Sequence, residues 1–181
     1  MRYVDGPGVT CEVHVEATPS RVWELVTDIH LPARLSPELQ RVEWLDGTEG
    51  LKVGAGFVGY NSHSHIGDWR TASYVTELEQ QRVFGWVVTD PDGTFVSPDG
   101  TGRADLASPA ATWRFEVEPE ENGTRLRQSV RVGPGRSGLS HVIDQAPEHE
   151  EQMVEFRLGQ LRSHIDSVLH GIKALAEDRT P

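Results

Sequence analysis

The chain has 181 residues, enough for one core and too few for two, and its 17 basic and 28 acidic side chains give a net charge of −11. That charge repels phosphate backbones and argues against nucleic acid as a partner, while 36% hydrophobic and 25% charged residues are the composition of a folded, soluble domain. The longest apolar run spans only residues 83–88, the first twenty residues carry Arg2, Asp5, Glu12 and Glu16, and Cys11 is the single cysteine; membrane insertion, a secretory leader, an internal disulfide and a cysteine-rich zinc site are not expected, and the expected location is cytoplasmic.

In chain order, Val9, Cys11, Val13 and Val15 alternate with Thr10, Glu12, His14 and Glu16, the period of a half-buried strand. Thr18-Pro19-Ser20 reads as a helix start, with Thr18 as N-cap and Pro19 at the first helical position. Val22, Trp23, Leu25 and Val26 give that helix its apolar side, and it stops near Asp28. Pro32 and Pro37 break the next stretch into short pieces, with Ser36-Pro37-Glu38 expected to cap a small second helix. Strands then follow at 41–45, 57–65, 69–78 and 83–89, with turn residues at Asp46-Gly47 and a polar turn at 79–81. Gly54, Gly56 and Gly59 suggest bends in the second of these. Trp113, Phe115 and Val117 form another strand, Glu121-Asn122-Gly123 a hairpin, and Leu126, Gln128, Val130 and Val132 the returning strand.

Pro147 opens a long helix running to about residue 176, with Glu148, Glu150 and Glu151 at its positive end. Val154, Leu158, Leu161, Ile165, Val168, Ile172 and Leu175 make an apolar stripe that needs a flat surface to lie on. Gly159 and Gly171 interrupt it, each at about 1 kcal/mol against alanine. Segments 90–109 and 133–146 read as long loops of the kind that are either functional lids or mobile segments. The order predicts a single α+β domain over 1–181: a curved, mostly antiparallel sheet of six to seven strands around the long C-terminal helix, with one or two short helices after the first strand.

The strand phases carry the functional reading. Extending them from Phe57, Val75 and Leu126 turns Asn61, His63, Trp69, Thr71, Ser73 and Gln128 inward with the apolar residues. Uncharged polar groups cost about 1–3 kcal/mol each in a dry core if unsatisfied, so mutual pairing between strands and a ligand cavity are the two ways to place them. The expected ligand-binding set is Phe57, Asn61, Trp69, Thr71, Ser73, Trp86 and Gln128 from the sheet with Leu158, Leu161 and Ile165 from the helix. Trp69 and Trp86 are expected as walls on adjacent strands, Trp23 and Trp113 as plain core. His63 is a candidate acid or base and Asn61 a candidate carbonyl polariser. His63 and His65 have chelating spacing, but the nearest carboxylate, Asp68, lies on a turn, and no metal is expected. Arg70 and Arg157 fall near the sheet–helix interface, to meet either a ligand carboxylate or an ordinary ion partner. There is no nucleophile elbow, phosphate loop or dinucleotide fingerprint, and no cofactor is expected.

Val13-His14-Val15-Glu16-Ala17-Thr18-Pro19-Ser20-Arg21-Val22-Trp23 resembles the opening of the START-like (SRPBCC) superfamily, in its bacterial polyketide cyclase/dehydrase and lipid-transport branch. Trp44-Leu45-Asp46-Gly47, Gly56-Phe57-Val58-Gly59-Tyr60-Asn61, Gly67-Asp68-Trp69-Arg70-Thr71-Ala72-Ser73-Tyr74-Val75, Phe84-Gly85-Trp86-Val87-Val88, Trp113-Arg114-Phe115 and Gly123-Thr124-Arg125-Leu126 are similar to its successive strands. The resemblance implies a helix-grip fold enclosing a hydrophobic cavity. It implies a hydrophobic small-molecule ligand (lipid, polyketide or aromatic metabolite), or alternatively a cofactor-free cyclase or dehydratase with His63 and Asn61 in the reacting cavity. It leaves the oligomeric state undetermined.

Overall fold

The computed structural model describes residues 1–45, 47, 50–64, 67–95 and 105–178. Among them are seven strands, β1 (Gly8–Val15), β2 (Leu39–Trp44), β3 (Gly56–His63), β4 (Gly67–Glu79), β5 (Val83–Thr89), β6 (Ala111–Glu120) and β7 (Gly123–Val132). The helices are α1 (Pro19–Val26), α2 (Leu31–Leu35), α3 (Gly138–Gln145) and α4 (Glu150–Glu177). All neighbouring strands are antiparallel, in the order β1-β7-β6-β5-β4-β3-β2, so consecutive strands pair except where β1 returns beside β7. This is the helix-grip arrangement, with the curved sheet holding α4.

The strand phases explain why the sheet has two chemically different faces. Val9, Val15, Phe57, Val75, Phe84, Phe115, Val117, Leu126 and Val130 are buried on the side of α4, together with Val154, Leu161, Ile165 and Ile172 from the helix itself. The other face is a charge ladder. Arg114 joins Glu77 and Glu116, Arg127 joins Glu12 and Glu116, and Arg125 joins Glu118 and Glu120. Opposite charges on neighbouring strands favour the register, each pair modestly at these exposures. The β6–β7 hairpin approaches β1 so closely at Gly123 (φ 145°) that a Cβ there would stand 2.1 Å from the Val15 carbonyl oxygen, which requires glycine.

Thr18 caps α1 as expected, its hydroxyl accepting from the Arg21 amide at 3.3 Å. The second helix differs from expectation. It occupies Leu31–Leu35, with Pro32 in the first turn where a missing N–H costs nothing, and Ser36 ends it. The Ser36 hydroxyl instead accepts from the Glu38 and Leu39 amides, turning the chain into β2. Segment 133–146 is likewise not all loop: Ser137 caps α3 through a reciprocal pair of bonds with Ser140. The long helix is preceded by a 3-10 turn at Pro147–His149 and ends one residue beyond the expected 176. Leu175 falls off its apolar stripe and is exposed, whereas Leu169 is buried. Asp46 of the expected turn lies outside the described residues, as do His65 and 96–104.

Candidate functional site

Between the concave face of the sheet, α3 and α4 lies a cavity of about 690 Å³, within the size range of small-molecule pockets. One wall is aromatic. Trp86 and Trp113 are register partners on β5 and β6, which stacks their indoles at 6.2 Å with planes 5° apart. Phe84, Phe115 and Phe57 pack around Trp86 at 4.7, 5.9 and 6.4 Å. Trp113 therefore lines the cavity and is not plain core. Trp69 and Trp86 are not neighbours either, because Trp86 pairs with Val75 and Trp69 with Asn61.

Polar groups interrupt this wall where the strand phase expected them. Asn61, Thr71, Ser73 and Gln128 all line the cavity, with Phe57, Trp69, Trp86, Leu161 and Ile165. Asn61 donates to the Thr71 hydroxyl and the Gly59 carbonyl at 3.4 Å each, long bonds that satisfy the amide only weakly. Gln128, 5% exposed, has its Oε1 buried with no partner among the described residues, and Asp90 has one such oxygen while the other accepts from the Phe95 amide at 2.7 Å. Such orphaned acceptors cost about 1–3 kcal/mol each in a dry interior. Leu158, by contrast, does not line the cavity. It sits on the opposite flank of the helix stripe, partly buried against the core.

At one end, Phe95 is buried against Trp69 and His141 at 6.4 and 6.2 Å, and the Arg136 guanidinium donates to its carbonyl at 2.9 Å. The exposed side chains of Val142 and Phe156 line the same cavity and mark its open rim. Arg70 pairs with Asp92 there, and both are exposed.

The helix side of the cavity carries a charged cluster. Arg157 donates to both Glu38 oxygens at 2.9 Å and to Gln160 Oε1 at 3.3 Å, and His164 Nδ1 lies 3.9 Å from Glu38 Oε2. These side chains are well covered: Glu38 is 12% exposed, His164 22% and Arg157 24%. Burial pushes the Glu38 carboxyl up, but the bonds and charge of Arg157, with His164 and His63 alongside, outweigh it and hold the group below its ordinary value. Burial and the nearby Arg157 charge push His164 below its ordinary value, against the pull of Glu38. His63 lines the cavity beside this cluster from the end of β3.

Of this cluster the sequence reading reached His63 and Arg157 and missed Glu38, Gln160 and His164. The missed signal is a second stripe on α4. Residues 157, 160 and 164 are spaced by three and four, so they share one face beside the apolar one. Among the described residues, no group of three or more His, Cys, Asp or Glu side chains converges in a metal-binding arrangement, and no helix is long and apolar enough to cross a membrane.

The family model described as polyketide cyclase / dehydrase and lipid transport matches residues 7–166. No curated protein matches the chain. Among solved structures, the polyketide-cyclase-like protein Cgl2372 of Corynebacterium glutamicum is similar at 28% identity, over 94% of this chain and 91% of that one, with a TM-score of 0.61. The Zhui aromatase/cyclase of Streptomyces sp. R1128 is similar in fold at 15% identity, over 96% and 94% of the two chains, with a TM-score of 0.63. The di-domain aromatase/cyclase BexL of the BE-7585A biosynthetic pathway matches at 18% identity and a TM-score of 0.67, over 98% of this chain and 53% of that one.

Proposed function

The chain belongs to the polyketide cyclase / dehydrase and lipid transport family, and from that premise we propose that it binds an apolar small molecule, a lipid, polyketide or aromatic metabolite, in the cavity between sheet and α4. The observation that carries this reading is the cavity of about 690 Å³ with a stacked Trp86–Trp113 wall and orphaned polar atoms at Gln128 and Asp90. A sealed core would fill that volume and satisfy those atoms. A bound ligand supplies apolar contact to the indoles and hydrogen bonds to Gln128, Asn61, Thr71 and Ser73, while Phe57, Trp69, Leu161 and Ile165 complete the walls. Leu158 is left to the core.

The test is a titration of intrinsic fluorescence with a panel of flat and linear apolar compounds, repeated on Trp86→Phe. The reading expects a saturable change with at least one compound, reduced in the variant. Absence of any saturable change across the panel overturns it.

A second reading is favoured by the charged side chains on the cavity wall: a cofactor-free cyclase or dehydratase acting on a ligand held in the same place. His63 would exchange a proton with the ligand and Asn61 would polarise a carbonyl. The likeness to aromatase/cyclases supports it as a fold able to hold such a ligand. It expects turnover of a bound polyketone and its loss in His63→Gln.

A further inference from the structure

The cavity has a polar face on α4 whose side chains neither reading gives a role. Three side chains spaced along one side of the helix, Arg157, Gln160 and His164, line it together with Glu38 from the turn before β2. Their contacts form a chain of fixed orientations. Arg157 grips both Glu38 oxygens at 2.9 Å, which holds the carboxylate beside His164 Nδ1 at 3.9 Å. The same guanidinium donates to Gln160 Oε1 at 3.3 Å, which commits that amide's oxygen to Arg157 and leaves its NH2 group as the donor it can offer a ligand. An imidazole near a carboxylate, next to an amide donor in a largely apolar cavity, is an arrangement for moving protons at a carbonyl compound.

We propose that His164 is a general base of this cavity, with the Glu38 carboxylate's charge beside it, acting on the C–H next to the carbonyl of a bound apolar ketone whose oxygen Gln160 polarises. This rests on the cavity being a ligand site. In the forward step the second imidazole nitrogen, Nε2, takes the proton, the C–H electron pair becomes the enolate, and the enolate oxygen accepts from Gln160 Nε2. The new imidazolium charge stands beside the Glu38 carboxylate, which Arg157 keeps ionised. Return of a proton to carbon regenerates the ketone, so no oxidant or further reactant is needed. Because burial holds His164 below the ordinary histidine value, its ring is neutral at pH 7 and able to accept. The groups that face it are Glu38, Arg157 and His63, with Asp28 and Asp90 elsewhere on the cavity wall. Glu38 acts in this scheme through its charge, which favours the imidazolium that forms.

The probe is 1-tetralone, a flat apolar ketone with slowly exchanging hydrogens next to its carbonyl. Deuterium uptake at that carbon in D2O is followed by proton NMR with the full chain, and binding is followed separately by tryptophan fluorescence. The expected result is exchange at least about a hundredfold faster than in buffer, the lower end of the roughly 10²–10⁴-fold range of positioned bases, rising with pH through an inflection below 6.5. His164→Ala should bind the ketone but fall to the buffer rate, and added imidazole should restore part of it. Glu38→Gln should move the inflection to lower pH, a shift that loss of a merely structural ion pair would not produce. Saturable binding without acceleration overturns the base and leaves the binding reading standing. Acceleration unchanged in His164→Ala also overturns it. If this variant does not fold, a wild-type profile with no inflection below 6.5 overturns the proposal by itself. Failure of the ketone and of the wider ligand panel to bind overturns the binding reading, and this inference with it.

Discussion

Glu38 and Arg157 are each mostly buried and each other's main partner, which makes the pair costly to break from one side. Arg157→Met leaves a carboxylate facing an apolar cavity, and stability should fall by about 3 kcal/mol, the low end for breaking a buried pair from one side because both side chains keep some exposure. The Glu38→Leu/Arg157→Met double variant should recover most of that loss. Urea denaturation of the two variants checks both expectations, and a double variant as weak as the single would show that the pair does more than cancel its own charge. The same cluster sets a pH dependence. Glu38 and His164 both have folded values depressed below the ordinary 4.5 and 6.5. At a pH between the folded and the ordinary value, the unfolded chain binds more protons, so stability rises with pH. The contribution of His164 is therefore complete above 6.5 and lost as pH falls through its folded value, and that of Glu38 is complete above 4.5 and lost below. Thermal melts from pH 8 to 4 should show two successive losses, and His164→Gln should remove the upper one.

At the scale of elements, the two glycines inside α4 separate cleanly. A Cβ on Gly159 would meet nothing within 4 Å, whereas one on Gly171 would come within 2.6 Å of the Leu35 side chain, where α2 lies against the helix. Gly159→Ala should stabilise by about 1 kcal/mol, the helix-propensity difference. Gly171→Ala should gain less or lose, since Leu35 must move to admit the methyl group. Equal gains would mean that α2 is loosely seated. These positions also show how far the sequence could be read. Strand alternation gave β1, β4, β5, β6 and β7 because one side of the sheet is buried and the other is a charge ladder, so period two is strong. The short helices were harder. Ser36 looks like an N-cap by composition, but its hydroxyl serves the turn into β2, and α3 starts at Gly138, a poor helix former held by Ser137. The inward polar set was visible because the phase of β3, β4 and β7 carries straight through Asn61, Thr71 and Gln128. Glu38 was not, because only the tertiary packing of α4 against the turn before β2 brings it beside the stripe of Arg157, Gln160 and His164.

For the whole molecule, the sheet curvature and the placing of α4 leave a volume that side chains do not fill. Trp86 and Trp113 stack on each other rather than closing it, and Phe95 covers one end with Trp69 and His141. That economy is intelligible if a ligand completes the interior. A ligand present at a hundred times its dissociation constant would add about 2.7 kcal/mol to folding stability. The measurement that tests this most directly is native mass spectrometry of the protein purified from its own cells, followed by solvent extraction and by incubation with the apolar panel. The result expected is a one-to-one adduct of defined mass, lost on denaturation and recovered in the extract or reformed with a panel compound. Bare protein in every preparation, with no adduct formed by any compound, would contradict it.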